Sequence, residues 1–157
     1  MGINSDVIRR IPPPGWLAAA VGAQLILTRG VRPTIRSAVT AGLIVGGAGI
    51  MAFTAAAELR RRGTTITPEH PEQVTALVTA GPFGLTRNPI YLAFASVLVA
   101  HAVLRRSPAA LLPTAAFVAV IDRVQIPAEE RALHQKFGQR YEAYRRAVPR
   151  WIGLPRR

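Results

Sequence analysis

Two short clusters of functional side chains stand out in an otherwise apolar chain. The first is Thr86-Arg87-Asn88-Pro89-Ile90-Tyr91. Proline fixes its own φ and disfavours helical geometry in the residue before it, so Asn88 is a natural N-cap with Pro89 at the first helical position. A helix N-terminus beside an arginine can bind an anion such as a carboxylate or a phosphate. The same residues also read as no more than a well-capped helix whose arginine snorkels to lipid phosphate. The second cluster is Glu129-Glu130, two of only eight acids in the chain. Acids in a first helical turn complement the positive end of the dipole. Alternatively, one of them binds a cationic ligand group, since burying an acid without a cationic partner is costly.

Other chemistries are disfavoured. The chain has no cysteine, which excludes disulfides, thiol nucleophiles and cysteine-based metal sites. His70, His101 and His134 are far apart in sequence, a poor pattern for a metal site. His101 reads as an interfacial histidine, and Trp16 and Trp151 as interfacial anchors. Gly47-Ala48-Gly49 superficially resembles the start of a nucleotide-binding fingerprint, but it lies inside an apolar helix with no strand before it.

The elements that must position these clusters are membrane helices. The chain has 157 residues, half of them hydrophobic, with a formal net charge of +12. The charges are segregated into short basic clusters between long apolar runs, as in a membrane protein with basic loops. A nucleic-acid binder would not leave residues 37–57 free of charge. Four segments are expected at 15–28, 35–59, 89–104 and 108–126. The second is the clearest span: its uncharged stretch makes a helix roughly 32 Å long, enough for a bilayer core. The others are short, which suggests tilting or local thinning of the bilayer. Gly42 and Gly46 are spaced for close approach of another helix. The N-terminal Arg9-Arg10 and the apolar run after it are read as the first span rather than a cleaved signal, because Pro12-Pro13-Pro14 interrupts the junction.

With four spans, fifteen of the 20 lysines and arginines fall on one side and five on the other. The excess predicts that both termini and the middle loop are cytoplasmic. That loop, 60–88, is rich in Thr, Pro and Gly and irregular; a connection so long in so small a protein is more often functional than idle. The tail, 127–150, spaces Leu133, Phe137, Tyr141, Tyr144 and Val148 along one face of an amphipathic helix. Pro127 suits its first position, and Arg145-Arg146 its last turn. Such a helix can lie on the membrane surface or fold back over the middle loop.

Taken together, Leu77-Val78-Thr79-Ala80-Gly81-Pro82-Phe83, Arg87-Asn88-Pro89-Ile90-Tyr91, Glu129-Glu130, Leu133, Phe137-Gly138, Tyr141, Tyr144 and Val148-Pro149-Arg150 resemble the isoprenylcysteine carboxyl methyltransferase family and its phospholipid methyltransferase relatives. The resemblance covers about residues 60–152. It implies a helical membrane enzyme that binds S-adenosylmethionine without a Rossmann domain, in a pocket built from the loop before the third segment and the helix after the fourth. It implies cofactor contacts at Gly81, Phe83, Arg87, Asn88, Pro89, Tyr91, Glu129, Glu130 and Leu133. Arg87 and the helix N-terminus would take the cofactor carboxylate and Glu129 or Glu130 the ammonium, or the reverse, with Phe83, Tyr91 and Leu133 as apolar walls. Arg145, Arg146 or Arg150 could hold an anionic acceptor head group, and Arg145, Arg150 and Tyr141 are the catalytic candidates, although Tyr141 also falls on the apolar stripe. Many relatives have histidine where this chain has Asn88, which cannot titrate.

The expectation is therefore one all-α integral membrane domain over 1–157, in a bacterial plasma membrane, with a cofactor loop at 60–88 and a C-terminal amphipathic cytoplasmic helix at 127–150. It would methylate a lipophilic carboxylate, thiol or amine. Rival readings are an NADPH-dependent reductase, with Arg60-Arg61-Arg62 on a 2′-phosphate, and a non-enzymatic helical scaffold.

Overall fold

The computed structural model describes residues 11–64 and 74–153. Thr65, Pro68 and Pro71 of the middle loop, Arg9, Arg10, His70 and the last basic residues lie outside them. All regular structure among the described residues is helical: α1 (Pro13–Leu27), α2 (Ile35–Arg61), α3 (Pro89–Leu104), α4 (Leu111–Val120), α5 (Ile126–Phe137) and α6 (Gln139–Ala147). Two helical stretches, Ile35–Arg61 and Pro108–Phe137, are long and apolar enough to cross a membrane. Only 17% of the most apolar window of α2 is buried, and Ile35, Leu43, Ile50 and Phe53 point outward. A helix apolar on its exposed side suits a lipid surrounding better than water. Helices α1 and α3 are shorter, at 15 and 16 residues.

The chain divides into two compact units, Met1–Ala48 with Phe94–Gln125, and Gly49–Ala93 with Ile126–Arg157. In the first, Pro12 is extended and Pro13 opens α1, where a missing N–H costs nothing. Helix α1 packs on α4. The fully buried Gln24 ties them: its amide nitrogen faces the Leu98 carbonyl (3.0 Å), the Ala110 carbonyl (2.7 Å) and the Thr114 hydroxyl (3.0 Å). Its oxygen therefore faces His101, which must donate from Nδ1 at 3.0 Å. The Thr28 hydroxyl donates to the Gln24 carbonyl, and Arg105 donates to the Thr28 carbonyl. In apolar surroundings unpaired polar groups are costly, and these are paired throughout.

One expectation about helices is corrected. The 127–150 tail is not a separate single helix. A continuous helical stretch, Pro108–Phe137, runs through Pro127. Proline lacks the N–H and crowds the carbonyl four residues back, Arg123; the chain accommodates it by widening into a π-turn at Ile121–Gln125. The break comes instead at Gly138, whose φ of 52° and ψ of −124° suit glycine, and α6 follows. The spacing of Gly42 and Gly46 leaves packing within the chain or between chains open, and a methyl group added at either would meet nothing within 4 Å among the described residues.

In the second unit, α2 ends on Gly63 in the left-handed region (φ 62°), with the Gly63 N–H on the Arg60 carbonyl and the Thr64 N–H on the Leu59 carbonyl. This is the Schellman closure that glycine permits. The chain then reaches a 3₁₀ turn, Gly81–Gly84, opened by Gly81 at φ 60°. The apolar stripe of the tail folds back on this segment: buried Tyr141, Tyr144 and Val148 pack with Leu77, Phe83, Leu133 and Phe137.

Candidate active site

The residues between the 3₁₀ turn and α3 form a short platform. The Thr86 N–H returns to the Pro82 carbonyl, and Thr86 is 1% exposed. Asn88 occupies the expected N-cap position of α3, with the Leu92 N–H on its carbonyl, and Pro89 is fully buried behind it. The Arg87 N–H donates to the Pro149 carbonyl at 3.0 Å. The extended Val148–Arg150 segment after α6 thus runs against the start of α3.

The Arg87 side chain is directed at the tail. It donates to the Arg145 carbonyl (2.9 Å) and to Glu130 Oε1 (2.7 Å). Arg150 reaches the same carboxylate with two donors, Nε to Oε1 at 3.2 Å and a terminal nitrogen to Oε2 at 2.6 Å. Glu130 is therefore held between two guanidiniums. The Arg87 side chain is 9% exposed and that of Glu130 14%. At such burial, removing one partner of the pair is strongly destabilising. Beside them, the Tyr91 hydroxyl donates to Glu129.

The tyrosines of the tail are held neutral. Burial pushes the Tyr141 hydroxyl up from its ordinary 10 to about 12; Glu130 adds to the rise and Arg87, Arg145 and Arg150 oppose it. Burial raises the Tyr144 hydroxyl further, and Tyr144 donates to the Phe83 carbonyl at 2.7 Å. The two rings meet edge to face, 6.3 Å apart.

The structure brings together Arg87, Glu130 and Arg150, with Tyr91 and Glu129 on the same two helix starts. It places other candidates differently. Arg145 enters through its carbonyl, while its guanidinium pairs with Glu142 at 3.1 Å and is half exposed. Tyr141 is a packed core residue, 2% exposed. Phe83 and Leu133 lie against the Tyr141–Tyr144–Val148 cluster, and Gly81 shapes the turn rather than offering a side chain. The side-chain amide of Asn88 donates to the Arg150 carbonyl. Arg61 and Arg62 pair with Glu58, one helical turn back, as an ordinary end to α2. Among the described residues no three His, Cys, Asp or Glu side chains could hold a metal. Sequence reasoning passed over the carbonyls of Pro149 and Arg150 and the hydroxyl of Thr86. The one signal was Pro149, which fixes an extended backbone and leaves its carbonyl outward.

One polar atom has no counterpart. Arg87 Nε is the single buried side-chain nitrogen or oxygen without a hydrogen-bond partner among the described residues. An unmet donor on a buried guanidinium fits a carboxylate or another small anion.

The phospholipid methyltransferase family profile matches residues 35–140, which include the platform, Glu129 and Glu130. The chain belongs to the phospholipid methyltransferase family. Membership implies methyltransferase activity, and with two membrane-length helices it supports a membrane setting. An uncharacterized protein of Haemophilus influenzae is 35% identical over 63 residues, 40% of this chain and the whole of that protein. No solved structure matches the chain.

Proposed function

We propose that the protein transfers a methyl group from S-adenosylmethionine to a lipophilic acceptor entering from the bilayer, at the cytoplasmic face. The observation that carries this reading is the unmet Arg87 Nε in the Arg87–Glu130–Arg150 group of a methyltransferase-family chain. When bound, S-adenosylmethionine supplies an electrophilic methyl on a sulfonium. Arg87 would hold its carboxylate and the Glu129–Glu130 pair would face its ammonium. Glu130 has a second duty, to keep two guanidiniums close together that would otherwise repel. No described residue at the site is a strong base at neutral pH: Tyr141 and Tyr144 stay protonated. The residues act by positioning, and a well-oriented in-line displacement gains much of its rate from proximity. Arg150, about one-third exposed, faces outward enough to steady an anionic part of the acceptor.

For the membrane frame, we read α1, α2, α3 and the 108–126 part of the Pro108–Phe137 stretch as four crossings, with both termini cytoplasmic on the charge count. The test is calorimetric titration of the protein in lipid nanodiscs with S-adenosylmethionine, with NADPH in parallel. Saturable binding of S-adenosylmethionine, lost in Arg87→Ala, is the expected result. Binding of NADPH alone overturns the reading.

A further inference from the structure

The two side chains flanking Arg87 converge on one atom. The Thr86 hydroxyl and the Asn88 amide nitrogen each donate to the Arg150 carbonyl at 3.0 Å, while the intervening Arg87 N–H holds the Pro149 carbonyl at 3.0 Å. Three consecutive residues thus grip two consecutive carbonyls of the tail. All of this is interior: Thr86 is 1% exposed and Asn88 9%. The guanidinium of the gripped residue, Arg150, lands on Glu130, and Glu130 holds Arg87, which returns the chain of contacts to the platform. The path is closed, so the position of Arg150 is set from both ends.

We infer that Thr86 and Asn88 are positioning residues that latch the Val148–Arg150 segment by its Arg150 carbonyl and thereby seat the Arg150 guanidinium on Glu130. They act through Arg150 and need touch no ligand. The geometry asks only for a donor at residue 88. Asparagine provides one, and a neutral histidine also carries an N–H. An aspartate would present oxygen to oxygen, and the site would lose the contact and gain repulsion. Loss of one buried hydrogen bond corresponds to about tenfold in an equilibrium.

The consequence for the cofactor rests on the function proposed above, so the test has two separate arms. The first needs no ligand. Hydrogen exchange of the intact protein in nanodiscs is followed at the Arg87 amide, which is bonded to Pro149. Asn88→Asp and Thr86→Val should speed its exchange about tenfold, and Asn88→His should restore most of the protection. Unchanged protection in Asn88→Asp, or no recovery with histidine, overturns the latch. The second arm is a cycle of Asn88→Ala, Arg150→Ala and the double variant, read as S-adenosylmethionine affinity. If Asn88 acts through Arg150, each single variant weakens binding about tenfold and the double is no worse than Arg150→Ala. Additive losses overturn the positioning role, because Asn88 then acts on the ligand or on the fold at large. Failure of the wild-type protein to bind S-adenosylmethionine would count against the proposed function and leave the first arm to judge the latch.

Discussion

Glu130 carries more of the site than any other single residue, because two arginines depend on it. Replacing it with glutamine keeps the shape but removes the charge between Arg87 and Arg150, leaving like charges close together in a buried setting. Breaking such a pair costs about 3–5 kcal/mol. Glu130→Gln should therefore lower the unfolding free energy by about 3 kcal/mol and weaken S-adenosylmethionine binding more than tenfold, read by denaturation in detergent and by calorimetry. A variant that kept full stability would show that Glu130 is not held as the geometry has it. Tyr141 tests the opposite case. Its hydroxyl is raised to about 12 from 10, so its neutral form is favoured in the folded state. The stability this contributes is complete below pH 10 and is lost as pH rises through about 12. Tyr141→Phe should melt like the wild type at pH 8 and fall less steeply in the melting temperature between pH 10 and 12; equal slopes would remove Tyr141 from the interior. At this scale the sequence offered Arg87, Glu130 and Arg150 as separate candidates. It hid how they meet, because ion pairs across 43 and 20 positions leave no local trace.

Among the elements, glycines separate two kinds of role. Gly138 joins α5 to α6 with φ 52°, and an added methyl group would meet no neighbour within 4 Å. The cost of Gly138→Ala is therefore backbone strain alone, about 1–3 kcal/mol. Gly46 lies in helical backbone, equally open. There alanine should be neutral or stabilising by about 0.5–1 kcal/mol. Paired melting curves in one detergent check both, and a loss of stability at Gly46→Ala would point to a second chain packed on α2. The helix positions were legible because apolar runs and proline starts are local signals: Pro89 opens α3 where its missing N–H is harmless, whereas Pro13 opens α1 two residues before the expected start at Gly15. The tail was not legible as two helices. Its apolar spacing continues across Gly138, and periodicity is blind to a reversal of φ. Pro127 misled for a related reason. A proline that usually starts a helix is absorbed here by the wide turn before it, and that choice depends on backbone geometry rather than on residue type.

For the whole molecule, the charge distribution makes a demand that chemistry can check. Under the proposed function, a cofactor made in the cytoplasm would meet Arg87 and Glu130 on that side of the bilayer, and the basic excess on the termini and middle loop predicts that orientation. The absence of cysteine makes the test clean, since any introduced thiol is the sole target in the chain. Ala143 is exposed on α6, and Ala109 is exposed in the short turn before α4. Ala143→Cys should resist a membrane-impermeant maleimide in intact cells and react after lysis. Ala109→Cys, on the side with fewer basic residues, should react in intact cells. The reverse pattern would put the Arg87–Glu130–Arg150 group where S-adenosylmethionine does not reach it, and the methyltransferase reading would fail on topology before any acceptor was tried. Labelling of both in intact cells would require an even number of crossings between Ala109 and Ala143, which a single crossing by the stretch between them does not allow. Under the proposed function, orientation therefore constrains the chemistry alongside the geometry of the site.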